Sequence, residues 1–285
     1  MKKLHAIFFI VLIFIGCDTN PLTGKKTMAF LRNESLFPQS FAEYNEFIND
    51  PKVKVIKDDD KKRGSDVKMV KDMGGELAKA AQSWFASEGY PNYLKGYQWE
   101  YNLVDDNQVN AWCMPGGKIV VYTGIIDYMN KIDSSKTEVW LALVLGHEIS
   151  HALLNHGQQR MSAGLLQQLG ALVLGLAVSG KSETTQGLLM AAYSVGTTVA
   201  GMLPFSRENE SEADHYGLIL MAIAGYDTPS KNSLEYAVSF WDYMAASGGS
   251  SLEFLSTHPN SAKRAENLRG WIPEARATAE RLKKP

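Results

Sequence analysis

The sequence predicts a mainly helical α+β fold. Three observations carry that prediction. Apolar residues recur at three- and four-residue spacing through most of the chain. One stretch, Tyr97 to Gly124, switches to alternation. A further helical stretch, LVLGHEISHALLNHG from Leu143 to Gly157, sets ionisable groups into an apolar run. The chain has 285 residues, 45% of them hydrophobic, enough for one sizeable core. A formal net charge of -2 offers no basic stripe, so no nucleic-acid partner is expected.

The elements follow in order. MKKLH is basic, and Ala6 to Ile15 is an apolar run too short to cross a bilayer but of the length of a signal-peptide core. Gly16 and Cys17 follow directly. The run resembles the lipobox of bacterial lipoproteins, with Phe14 where leucine is usual. Residues 1–16 are therefore expected to be a signal peptide, Cys17 a site of lipidation, and 17–39 a lipidated N-terminus and tether. That places the chain in a bacterial cell envelope, on the extracytoplasmic (periplasmic) side, with a membrane as partner through its lipid. Cys113 is the only other cysteine, so no disulfide is expected.

Ser40 to Asn49 has helical spacing, Lys52 to Ile56 alternates as a short strand, and Asp58 to Gly64 is a charged loop. Ser65 to Ser87 is helical, with Val67, Val70, Leu77, Ala81, Trp84 and Phe85 on one face. Tyr97 to Val104, Gln108 to Met114 and Lys118 to Gly124 are three strands; Pro115, Gly116 and Gly117 join the last two. They form a small antiparallel sheet just before the helix Thr137 to His156. Its cap is expected at Ser135 or Thr137. Met161 to Leu203 is apolar and rich in glycine and alanine. It reads as two packed helices folded back around SGKSETTQ, with a membrane-touching or substrate-gating hairpin as the alternative. Arg207 to Ala224 and Pro229 to Ala246 are helical. A loop, Ser256 to Asn260, precedes a last short helix, Ser261 to Leu268, and a polar tail.

The chemistry lies in the Leu143–Gly157 stretch. Residues four apart share a helix face, so His147 and His151 can reach one ion, while Glu148 lies beside that face. This is the HExxH arrangement: two imidazoles on Zn²⁺, and a carboxylate that takes a proton from water and later gives it to a leaving amine. Two core histidines bonded to carbonyls would be the plain structural reading. Three unpaired ionisable groups in so apolar a helix would be expensive. A catalytic zinc takes a third protein ligand and keeps a position open. RENESEADHYG, Arg207 to Gly217, supplies the candidates. Glu210 and Asp214 share one face, and Glu212 and His215 point elsewhere; geometry alone permits either set. On the first, Glu210 binds zinc and Asp214 accepts the other ring proton of His147. Ala213 and Gly217 are small enough to let this helix come close to the other.

NPLTGKK, VNAWCMPGGKIVVYTGII, LGHEISHALLNHG, NESEAD and STHPNSAKR, spread from Asn20 to Arg264, together resemble the M48 zinc metallopeptidases, in their soluble lipoprotein-type branch. The resemblance implies a zincin-type (gluzincin) fold, one Zn²⁺ per chain, zinc on His147, His151 and Glu210, and Asp214 behind them. It implies Glu148 as the catalytic base and a peptidase domain over residues 40–270, with 271–285 as a tail. It also implies His258 as a possible fourth ligand or gate, and backbone pairing of an extended peptide substrate at Asn110 and Ala111. Arg264 is a candidate oxyanion or anchoring group. His156 and His215 are expected off the metal. The multiple membrane spans of other branches and the helical-repeat C-terminal domain of some members are not found, which implies a stand-alone zinc endopeptidase acting on peptides or misfolded envelope proteins. The rival reading is a latent or non-catalytic zinc lipoprotein, closed by His258, that serves envelope quality control or binds a partner.

Overall fold

The structure is a computed structural model that describes residues 16–228, 233–246, 254, 258 and 263–283. The apolar run 6–15, residues 229–232 and, apart from His258, the loop 256–260 lie outside the described residues. Strands β1 (Gly16–Thr19) and β2 (Lys26–Ala29) form an antiparallel ribbon. Helices α1 (Phe37–Asn49) and α2 (Gly64–Ser87) follow. Then come β3 (Glu100–Val104), β4 (Ala111–Met114), β5 (Lys118–Tyr122) and α3 (Thr123–Asp133). The rest is helical: α4 (Thr137–Leu153), α5 (His156–Val178), α6 (Glu183–Thr197), α7 (Leu203–Ile223), α8 (Leu234–Ala246) and α9 (Lys263–Lys283). A π-turn, Thr198–Met202, joins α6 to α7.

Helix α4 is the axis. Every residue in it except Glu138 is buried, as a helix apolar on all sides must be. It packs against α2, α3, α7, α8 and the sheet, and its Val139, Leu141, Leu143, Leu145 and Ile149 lie in the main core. Each such side chain contributes about 1.5–3 kcal/mol by leaving water. The α4–α7 crossing is a backbone contact. A Cβ on Gly146 would meet the Gly217 carbonyl oxygen at 2.8 Å, and one on Gly217 would meet the His147 nitrogen at 2.8 Å. Ala213 is fully buried at the same crossing. The small residues therefore bring α7 close, as its sequence requires.

The sheet has the order β3-β5-β4. Strands β4 and β5 form the antiparallel hairpin that the Pro-Gly-Gly link predicts, with positive φ at Gly116 and Gly117. Strand β3 adds to the other side of β5 in parallel, so the sheet is mixed. Strand β4 is an edge that packs on α4. The stretch Lys52 to Ile56 gives only a single bridge, Val55 to Val104.

Several elements differ from expectation, four of them for a plain physical reason. Helix α3 is hidden in the sequence because its apolar residues continue those of β5 without a polar break. Helix α4 ends at Leu153 because Asn155 takes a left-handed conformation, φ 59°, which asparagine tolerates better than most residues. The last helix runs on to Lys283 and absorbs the supposed tail. Ile272, Ala275 and Ala279 bury at helical spacing in an otherwise polar surface. The supposed tether is partly clasped to the fold. Asn20 is buried, and its Nδ2 donates to the Leu153 carbonyl at 2.9 Å and to the Tyr93 hydroxyl at 3.0 Å. Helix α7 also starts earlier, at Leu203. Between α5 and α6, Tyr193 crosses Gly170 so closely that a Cβ there would lie 1.9 Å from its hydroxyl.

Candidate metal centre

Helix α4 supplies His147, Glu148 and His151, α7 supplies Glu210 and Asp214, and the segment before α9 supplies His258. All are buried. His147 Nε2 lies 3.1 Å from His151 Nε2, 3.2 Å from His258 Nδ1 and 3.3 Å from Glu210 Oε2. His151 Nε2 is 3.4 Å from Glu210 Oε1, and His258 Nδ1 is 2.9 Å from Glu210 Oε2. One ligand atom from each of these four residues lies within 4.8 Å of all the others.

The outward hydrogen bonds decide the tautomers. Asp214 Oδ1 is 2.9 Å from His147 Nδ1; a carboxylate only accepts, so Nδ1 carries the proton. Glu212 Oε2 accepts from His156 Nε2 at 3.2 Å, which leaves His156 Nδ1 as an acceptor. His151 Nδ1, 2.8 Å away, is then the donor. In their neutral forms, His147 and His151 therefore point two lone pairs at one spot, beside a carboxylate. Such a set of acceptors requires a cation between them, and two imidazoles with one carboxylate suit zinc.

The electrostatics agree. Burial lowers the His147 pKa, but the Asp214 and Glu210 carboxylates outweigh it and push the group up to about 9. A metal taken up at His147 Nε2 must therefore compete with a proton for that atom. Burial holds His151 well below the usual histidine range. Burial would raise Glu210, but the rings of His147, His151 and His258 around it keep it far below the usual carboxylate range. Burial pushes Glu148 upward. Its Oε1 lies 3.2 Å from His258 Nε2, yet no hydrogen bond of good geometry reaches it. A buried carboxylate oxygen left in this state is free to accept a proton.

Arg264 is buried and does not sit at a surface ion pair. Its Nε and Nη2 donate to the two oxygens of Asp214 at 2.7 and 2.6 Å, and its Nη1 donates to the His258 carbonyl at 3.3 Å. The guanidinium lies 3.5 Å over the Trp241 ring. Burial would raise Asp214, but the Arg264 charge and the His147 bond hold it down. Arg264 thus anchors the carboxylate that orients His147.

The edge strand is arranged differently from the expected Asn110–Ala111 pairing. The Asn110 carbonyl accepts from Tyr122 N–H at 3.2 Å and so faces β5. Its side chain takes the Ala111 N–H at 2.9 Å. By the alternation of an antiparallel ladder, the outward backbone groups belong to Ala111 and Cys113. Val109 faces the same way, and its carbonyl already accepts from Phe254 N–H at 3.0 Å, which hangs the His258 segment on this edge. The half-buried Cys113 thiol is pushed well above its usual pKa, by burial first and then by the nearby Glu148 charge.

Glu212 and His215 stay off the metal spot. His215 bonds Glu274 at 2.8 Å and stacks on Trp271. His156 is off the metal spot too, and it touches His151 across the helix break. Behind it, Lys25 of the N-terminal ribbon reaches Glu212 at 3.0 Å and Glu208 at 2.7 Å. Helical periodicity missed this chain of contacts. The Asn-His-Gly stop at 155–157 was the signal that could have found it.

The sequence pattern of peptidase family M48 matches residues 73–272. The chain is 35% identical over 178 residues to the mitochondrial metalloendopeptidase OMA1 of Arabidopsis thaliana, covering 62% of this chain and 32% of that one. It is 27% identical over 271 residues to the human mitochondrial metalloendopeptidase OMA1, covering 94% and 48%. It is 29% identical over 202 residues to the metalloprotease YcaL of Escherichia coli, covering 70% of each. The chain therefore spans about half the length, or less, of the OMA1 relatives it matches.

Proposed function

The chain belongs to peptidase family M48, and from that premise we propose that it is a zinc-dependent endopeptidase acting on peptide or protein substrates. The observation that carries the reading is the pair of His Nε2 lone pairs 3.1 Å apart beside Glu210, with an unbonded Glu148 oxygen next to them. His147, His151 and Glu210 would hold the metal. When bound, zinc supplies Lewis acidity toward a carbonyl and toward water. Glu148 accepts the water proton at its free oxygen and returns it to the leaving amine. Asp214 holds the His147 ring through Nδ1, and Arg264 fixes Asp214. The outward backbone of Ala111 and Cys113 aligns an extended peptide by strand addition. The peptidase unit takes in residues 40–270 and the helix that continues through 271–283.

The same reading extends to location. Cys17 carries the lipid, and the chain sits on the extracytoplasmic face of a bacterial envelope membrane. The support is the apolar run Ala6 to Ile15 directly before Gly16 and Cys17. Labelling with radioactive palmitate, lost in Cys17→Ala, is the expected result.

A latent form is the second reading, favoured by His258. This side chain lies 2.9 Å from Glu210 and 3.2 Å from Glu148, so it can close the fourth position against water. In that case, His258→Ala raises peptide hydrolysis; in an open site it does not. The test of the main reading is zinc content and casein hydrolysis of wild type and Glu148→Gln. One equivalent of zinc in both, with hydrolysis only in wild type, is expected. Normal turnover by Glu148→Gln would overturn it.

A further inference from the structure

We propose that the α5–α6 hairpin is seated in a membrane, with its apolar faces buried in the hydrocarbon of a lipid bilayer. This goes beyond the peptidase reading and does not depend on it. The first observation is charge. Residues 161–180 hold no Asp, Glu, Lys or Arg, and neither do residues 184–206. Charges bound each arm: Arg160 and Lys181 on one, Glu183 and Arg207 on the other. At a rise of about 1.5 Å per residue, the charge-free part of α5, residues 161–178, reaches roughly 27 Å, close to the roughly 30 Å of bilayer hydrocarbon.

The second observation is exposure. Among the described helices, only α5 is long and apolar enough to cross a membrane, and just 11% of its apolar window is buried. Helix α6 buries none of its residues. Leu172 is 57% exposed and Leu188 68%, with Val173, Leu176 and Val195 similarly open. A helix apolar on all sides belongs in a core or in lipid, and α5 is not in the core. Two polar side chains of one arm and one of the other pair across the hairpin. Gln167 Nε2 donates to Thr197 Oγ1 at 2.7 Å, and the Tyr193 hydroxyl donates to the Gln167 carbonyl at 3.1 Å. Such internal pairing is what lipid demands.

The third observation is the neighbour. Strand β2 packs on α5, where Phe30 N–H donates to Ser162 Oγ at 3.3 Å and Gln158 Nε2 donates to the Leu31 carbonyl at 2.6 Å. A cleft of about 400 Å³ between the arms is lined by Thr27 of β2 with Ala163, Leu166, Tyr193, Thr197 and Met202. Strand β2 pairs with β1, which begins where the apolar run 6–15 ends.

The test uses the full chain in phosphatidylcholine vesicles whose acyl chains carry bromine. An environment-sensitive fluorophore is attached to Leu172→Cys, Leu188→Cys or, as a distant exposed control, Tyr90→Cys, each in a Cys17→Ser, Cys113→Ala background. Bromolipid quenching at 172 and 188 at least twofold greater than at 90 is expected. Equal quenching at all three sites on vesicle-bound protein would overturn the proposal. So would protection of the 172 and 188 probes without lipid, which marks a second copy as the occupant, or protection only on adding casein, which marks a substrate. Repeating the measurement with Glu148→Gln separates this proposal from the peptidase reading: quenching should be unchanged whether or not hydrolysis is lost.

Discussion

Helices α4 and α5 follow each other in the chain with only Leu154 and Asn155 between them, and they are inside out with respect to each other. Helix α4 holds histidines and a glutamate in the core. Helix α5 holds leucine and valine against the outside. Both violate the ordinary rule of burial, in opposite senses. The lesson is that burial alone does not mark function; burial against type does. In α4 the anomaly is resolved by hydrogen bonds that turn every ring toward one point. In α5 no protein surface among the described residues resolves it.

The contrast can be broken in steps, the largest first. Glu148→Gln should lower kcat about 10²–10⁴-fold while zinc stays at one equivalent, read by peptide hydrolysis and metal analysis. Glu210→Ala should lose the metal, whereas Glu212→Ala, at a carboxylate that pairs with His156 and Lys25, should keep it; equal zinc in both would mean that Glu210 is not a ligand. Arg264→Met strands the buried Asp214 carboxylate. A loss of about 3–5 kcal/mol is expected, a fall in Tm on the order of 10 °C by calorimetry. His156→Ala removes the partner of His151 Nδ1, and zinc affinity should weaken about 10–100-fold in a competition titration. The smallest effect sharpens the comparison itself. Leu141→Ala in α4 should cost about 2–5 kcal/mol in urea unfolding, and Leu172→Ala in α5 about 0.5 kcal/mol or less in the absence of lipid.

Much of the site was legible because α-helical spacing is a local property. His147 and His151 at four residues, and Glu210 and Asp214 at four residues, fall on shared faces whatever surrounds them. Gly217 and Ala213 announced a close crossing, and the structure has it. What escaped depends on partners far away in sequence. Lys25 reaches Glu212 across 187 positions, and Arg264 reaches Asp214 across 50; no period records either. Helix α9 was obscured because its apolar stripe is sparse, and α3 because its stripe runs on from a strand. Asn155, a single left-handed residue, sets His156 against His151, a contact that helical spacing does not record. The exposure of α5 and α6 was also beyond reach, since composition tells how apolar a helix is and not what it faces.

The contact of Gly146 with Gly217 has a consequence for how tolerant this site is. Main chain touches main chain one residue before His147, so the gap between the two ligand-bearing helices is a length set by peptide groups. Side chains elsewhere in the core can be traded for others of similar volume, and the fold gains or loses stability without that gap being rewritten. A single methyl at either glycine acts as a wedge. It would spread α4 from α7 and draw Glu210 away from both histidines together, so that the smallest side chain in the alphabet is also the least replaceable part of the instrument.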